Sequence, residues 1–190
     1  MTTWYVMRAS GVVSLLLLTA VMVLGLATVR RWRPKRLPAF VTAGIHRSLS
    51  LLSVVFVAIH VVTAVADPYA KVGVVAIVVP FVAGASPFWI GLGAVSLDLV
   101  AALIVSSLLR RRLGVRAWRA IHWTAYLCWP VALAHSLGMG SDAGSLWLQG
   151  LAAVCVAAVV AAVVSRLRPK KPAAAVRPLR PARADSRLAA

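Results

Sequence analysis

The stretch Ala39–Ala66, AFVTAGIHRSLSLLSVVFVAIHVVTAVA, decides the class of fold. It carries a single formal charge, Arg47, and two histidines, His46 and His60. Its length exceeds the roughly 20 apolar residues that cross a bilayer as a helix. Histidine inside such a helix is costly and faces the interior of a bundle. The two histidines are fourteen residues apart. On an ideal helix that spacing leaves them within about 40° of one face and about 21 Å apart in height.

The rest of the chain has the same character. Hydrophobic residues make up 62% of the 190 and mean hydropathy is +0.90, whereas soluble domains are about 45–50% apolar. This is the composition of an all-α membrane protein. The net charge of +17 comes from 21 Lys and Arg against four Asp. In a soluble chain such an excess points to nucleic acid. Here the cations gather at the ends of apolar runs, which is the positive-inside pattern, and no nucleic-acid partner is expected. Cys128 and Cys155 lie within apolar runs and read as small packing residues.

A bundle of about five transmembrane helices follows from a pass along the chain. The first span, Trp4–Val29, precedes Arg30, Arg31, Arg33, Lys35 and Arg36. A signal peptide carries its charge ahead of its apolar run, so this span reads as a retained helix with its N-terminus outside. The second is Ala39–Ala66. The run Val72–Ala83 is short for a span and reads as a re-entrant or interfacial outer segment. The third span, Trp89–Leu109, contains Asp98 and precedes Arg110, Arg111, Arg112, Arg116 and Arg119. The fourth runs from Trp118 through His122 and His135 to Gly138–Gly140, and the fifth covers Ser145–Val164. Residues 1–166 form the membrane domain. Residues 167–190, rich in Pro, Ala and Arg, read as a disordered, basic cytoplasmic tail. All three basic clusters then fall inside. Trp4, Trp89 and Trp147 mark the outer ends, and Trp32 and Trp118 the inner ones.

In this topology the second and fourth spans run in the same direction. His46 and His122 both lie toward the cytoplasm, and His60 and His135 toward the outside. Asp67 and Asp142 each follow an outer histidine by seven residues, which sets the two at similar depth. His122 and His135 are thirteen apart, which an ideal helix turns about 140° from one another. Pro130 lies between them and can kink the helix. Zinc sites gather all their ligands at one centre with short spacings. Here one centre has at most one histidine from each helix, with no thiolate or carboxylate nearby. That suits the two axial positions of heme. The structural alternative is that the histidines tie helices together by hydrogen bonds.

The stretch Arg116–Tyr126, RAWRAIHWTAY, followed by His135, resembles the ferric reductase-like transmembrane domain. That superfamily includes NADPH oxidases, ferric reductases and the heme-binding membrane subunit of the bacterial periplasmic methionine-sulfoxide reductase system. The resemblance covers residues 5–165. It implies two b-type hemes, at His46/His122 and at His60/His135. Larger members have six helices, so the resemblance allows a sixth. Anionic heme propionates need basic partners. Arg8 lies at outer depth, and Arg47 and Arg119 lie near the inner pair; each also reads as an interface anchor. Asp98 is expected to be buried and to form a structural pair, with Arg8 as one partner.

The function expected is cytochrome b-type electron transport across the cell (inner) membrane. Electrons would enter from a separate flavoprotein or membrane quinol and leave to an extracytoplasmic acceptor. Axial ligation by two histidines leaves no open iron site, so no catalytic residue is assigned. The length leaves no room for a flavin or NADPH domain, which needs about 100 residues. The chain therefore reads as a membrane subunit of an oxidoreductase. The rival readings are a non-redox membrane scaffold and a transporter or channel with histidines in a proton path.

Overall fold

Each apolar run becomes a helix because a chain in hydrocarbon must satisfy its backbone polar groups internally. The computed structural model describes residues 2–29, 39–139, 142 and 144–167. The basic cluster of residues 30–36 and the tail of residues 168–190 lie outside the described residues, as does Trp32. The helices in chain order are α1 (Thr2–Val29), α2 (Ala39–Ala66), α3 (Val75–Val78), α4 (Pro87–Leu108), α5 (Arg110–His122), α6 (Ala125–Gly138) and α7 (Leu146–Leu167).

Four helical segments are long and apolar enough to cross a membrane: 2–27, 40–66, 87–108 and 146–167. The expectation of five spans, or six, is thereby corrected to four within an all-α, multi-pass bundle of seven helices among the described residues. The expected span from Trp118 to Gly138–Gly140 is divided. The amides of Thr124, Tyr126 and Leu127 bond to carbonyls only three residues back, the tighter turn that often marks a break between helices. Composition explains the division. Five of the thirteen residues of α5 are arginines. The apolar remainder, α6, has 14 residues, about 21 Å of helix against a hydrocarbon core of about 30 Å. The outer segment expected to re-enter the membrane holds only the single turn α3. There Ala76 and Ala83 pack with Ile90 of α4, and Val72 and Met139 close over them.

The core lies between α1, α6 and α7. Trp129, Cys155 and Val159 are buried there against Leu18, Met22 and Leu133. Helix α1 presents small hydroxyls to its neighbours. Ser10, Ser14 and Thr19 are buried, and each donates to a carbonyl four residues back in α1. They satisfy themselves while letting neighbouring helices approach closely. Thr19 Oγ1 also accepts the indole N–H of Trp129 at 2.9 Å. Helix α2, in contrast, packs principally on α1, and α4 packs on α6. The two halves thus meet along α1, and the histidine-bearing face of α2 looks across a gap toward α4 and α6.

The buried Trp129–Thr19 bond makes a prediction. Thr19→Val leaves an indole N–H without a partner in the core and should cost about 1 kcal/mol. Thr19→Ser should keep the bond. Thermal unfolding in detergent is expected to show a lower midpoint for the valine variant and one near the parent for the serine variant.

Candidate functional site

On the outer-pair side, His60 of α2 and His135 of α6 face one another with ring centres 6.3 Å apart and planes at 78°. Each ring is held by a helix on its far side. His60 Nδ1 lies 2.8 Å from the carbonyl of Met7, and His135 Nδ1 lies 2.8 Å from the carbonyl of Trp89. A carbonyl only accepts, so Nδ1 carries the proton in both rings and Nε2 keeps its lone pair. Metal-binding histidines are oriented in this way by backbone carbonyls.

Both contacts depend on a glycine four residues beyond the carbonyl. A helical Cβ points toward the N-terminus and overhangs the turn before it. A side chain at position 11 or 93 would therefore cover the carbonyl that the imidazole reaches. A Cβ built on Gly11 would lie 3.0 Å from His60 Nδ1, and one on Gly93 would lie 2.7 Å from His135 Cε1. Gly25 stands in the same relation to His46, with 3.5 Å to Cε1. The fourteen-residue spacing of His46 and His60 is thus repeated by Gly25 and Gly11 on the antiparallel α1.

The inner-pair histidines are arranged differently. His122 has His46 and Arg110 as electrostatic neighbours. Trp118 stacks on His122 at 4.9 Å with 25° between the planes, and Arg110 sits 4.2 Å above Trp118. The Nδ1 atoms of His46 and His122 are buried and make no hydrogen bond among the described residues. Val21, four residues before Gly25, faces His46 with its carbonyl but stops short of a hydrogen bond.

A cavity of about 460 Å³ surrounds the His60/His135 pair, with Arg8, Gly11 and Gly93 in its wall. This falls in the range of about 300–1,000 Å³ typical of cofactor sites. Two nitrogens bound on opposite sides of one metal, at about 2 Å each, would put their ring centres about 6 Å apart. No group of three or more His, Cys, Asp or Glu side chains is poised to hold a metal among the described residues. A metal here would take two ligands from the protein and the rest from elsewhere. Two imidazoles with Nε2 unprotonated would suit a metal that a ligand such as a porphyrin already holds.

The expected basic partners divide. Arg8 borders the cavity and forms an ion pair with Asp142, with its guanidinium 4.4 Å from the Trp4 ring. Asp98, expected to be buried and to pair with Arg8 or a neighbouring helix, is instead exposed on α4. Arg47 is exposed beside His46. Arg119 lines a separate pocket with Arg116 and Trp123, on a helix face turned away from the one shared by Trp118 and His122. Sequence reasoning missed Gly11, Gly25, Gly93, Arg110 and Trp118. The repeat of fourteen between Gly11 and Gly25 was a readable signal, but it gains meaning only with the α1–α2 register.

Comparison with curated proteins finds no match, and comparison with solved structures finds none. A family model described as ferric reductase like transmembrane component matches residues 10–133. The match takes in His46, His60 and His122, with α1, α2 and α4. It covers most of the chain, which therefore belongs to the ferric reductase-like family of oxidoreductase membrane components.

Proposed function

We propose that the chain is a diheme b-type electron-transfer subunit, with His60 and His135 holding one heme and His46 and His122 the other. The observation that carries this reading is the outer pair. Two imidazoles stand at the separation expected across one metal, each with Nδ1 fixed by a carbonyl and Nε2 free. Each heme, when bound, would supply a one-electron carrier, and the two histidines of α2 are about 21 Å apart in height, most of a bilayer core.

The protein's own residues then have defined tasks. Met7 and Trp89 orient the outer imidazoles and raise their basicity. Gly11 and Gly93 admit the rings. Arg8, paired with Asp142 in the cavity wall, is the cation placed toward a propionate there. At the inner pair, Trp118 flanks His122, and Arg110, stacked on Trp118, takes the place expected of Arg119. Arg47 stays an interface anchor. The positive-inside rule places the basic residues of α5, and so the inner pair, at the cytoplasmic face. Electrons enter there from a separate flavoprotein or quinol and leave to an extracytoplasmic acceptor.

Two sets of variants test this. His60→Ala and His135→Ala should each halve the heme bound per chain and leave the remaining heme's reduced-minus-oxidised spectrum in place. Full heme content in both variants, or no b-type spectrum in the parent, sinks the reading.

The glycines give a graded series. Gly93→Ala forces the imidazole aside and should lose or distort the outer heme. Gly11→Ala sits at the edge of tolerance. Gly25→Ala meets His46 at ordinary contact distance and should keep its heme. Heme stoichiometry with low-spin electron paramagnetic resonance signals measures all three. An unaltered outer signal in Gly93→Ala would show that the close approach is not used.

A further inference from the structure

Between α5 and α7, three arginines border one indole. Arg116 and Arg119 line a pocket of about 410 Å³ together with Trp123. Arg166 of α7 approaches the same ring, at 5.9 Å from its centre, and donates to the Tyr126 hydroxyl at 2.6 Å. Trp123 and Tyr126 meet edge to face at 5.6 Å. Arg166 is thus fixed by a hydrogen bond and by aromatic contacts, while Arg116 and Arg119 are exposed beside it.

No carboxylate of this chain balances it among the described residues. The chain has four acidic residues. Asp67 binds Thr3 and Asp142 binds Arg8, both at the opposite end of the bundle. Asp98 lies on α4, and Asp185 is outside the described residues. Three like charges held this close favour an anion from outside the chain. Directly beside the cluster the surface turns apolar. Leu127, one helical turn beyond Trp123, is 56% exposed. An occupant with a phosphate at one end and acyl chains at the other meets both surfaces.

We infer that Arg116, Arg119, Arg166 and Trp123 form a binding site for the phosphodiester headgroup of an anionic membrane phospholipid. Arginine holds phosphate oxygens in pairs through its planar fork. The indole takes its usual place at the membrane interface. Basic pockets between membrane helices bind anionic headgroups by this chemistry. The site explains why Arg119 faces away from His122, and it does not depend on which cofactor the histidines hold.

The test uses full-length protein, delipidated in detergent and checked for unchanged helical circular dichroism. Phosphatidylglycerol, phosphatidylcholine or inorganic phosphate is added, and bound lipid is counted by native mass spectrometry alongside thermal stability. Phosphatidylglycerol should bind and raise the midpoint, whereas phosphatidylcholine and inorganic phosphate should not. Arg119→Gln and Arg166→Gln should each weaken phosphatidylglycerol binding about five-fold. Arg111→Gln, which removes the same charge from α5 outside the cluster, should leave it unchanged. An equal loss in Arg111→Gln would mean a diffuse charge effect and overturn the proposal. Equal stabilisation by phosphatidylcholine or by inorganic phosphate would overturn it as well.

Discussion

The contact between an imidazole and a helical carbonyl uncovered by glycine is the constraint on which the arrangement turns. Inside an α-helix each carbonyl already accepts from the amide four residues on, but its second lone pair is free. Reaching that lone pair from a neighbouring helix requires the overhanging side chain to be absent. Gly11 and Gly93 meet this requirement for Met7 and Trp89, on two different helices, and both contacts serve histidines of one pair. Once the two rings are held, α2 has a fixed height against α1, and α6 a fixed height against α4. Further ties at the same end share this register. Asp67, just past α2, accepts from Thr3 and from the amide of Tyr69. Asp142, just past α6, holds Arg8.

Much of this was legible in the residues themselves. His46, His60, His122 and His135 stand out because a titratable ring in hydrocarbon needs a reason to be there. The apolar runs of α1, α2, α4 and α7 announce their length directly. The number of spans was misread because the basic stretch 110–119 was treated as a connection between two full spans. In the structure it is helical on both sides of a kink at Gly114 (φ 73°, ψ 163°), and the second piece carries His122. Apolar length is a property of a segment between interruptions, and the tightened turn at Trp123–Thr124, which keeps helical dihedrals, has no proline or glycine to mark it. Pro130, which does look like a break, lies within α6 without ending it.

Pairwise partners were less legible, for a physical reason. Whether Arg8 meets Asp98 or Asp142 depends on which face of α4 turns inward, and a helix that is apolar nearly all round carries little record of that in its pattern. The same holds for Arg119. Its neighbour Trp118 stacks on His122, so a shift of one residue, about 100° of rotation, separates a side chain at the histidine from one in a different pocket. Sequence distance to a histidine was therefore a poor guide, and helix face was the deciding quantity.

The packing of α2 bears on how such a bundle holds together. A membrane helix gains no hydrophobic stabilisation from contact with its neighbours, because lipid is equally apolar; it associates through close packing and hydrogen bonds. Helix α2 has such contacts principally along α1. Across the gap His60 faces His135 of the other half, with ring centres 6.3 Å apart. A planar cofactor bound by both rings would supply the missing layer and tie α2 to α4 and α6. A ligand that binds only the folded arrangement stabilises it in proportion to its affinity. On the proposed reading, loading of the outer site is then a step in assembling the bundle as well as in equipping it. The two carbonyl-held imidazoles are what make that step possible, since rings oriented before the ligand arrives lose little freedom when it binds.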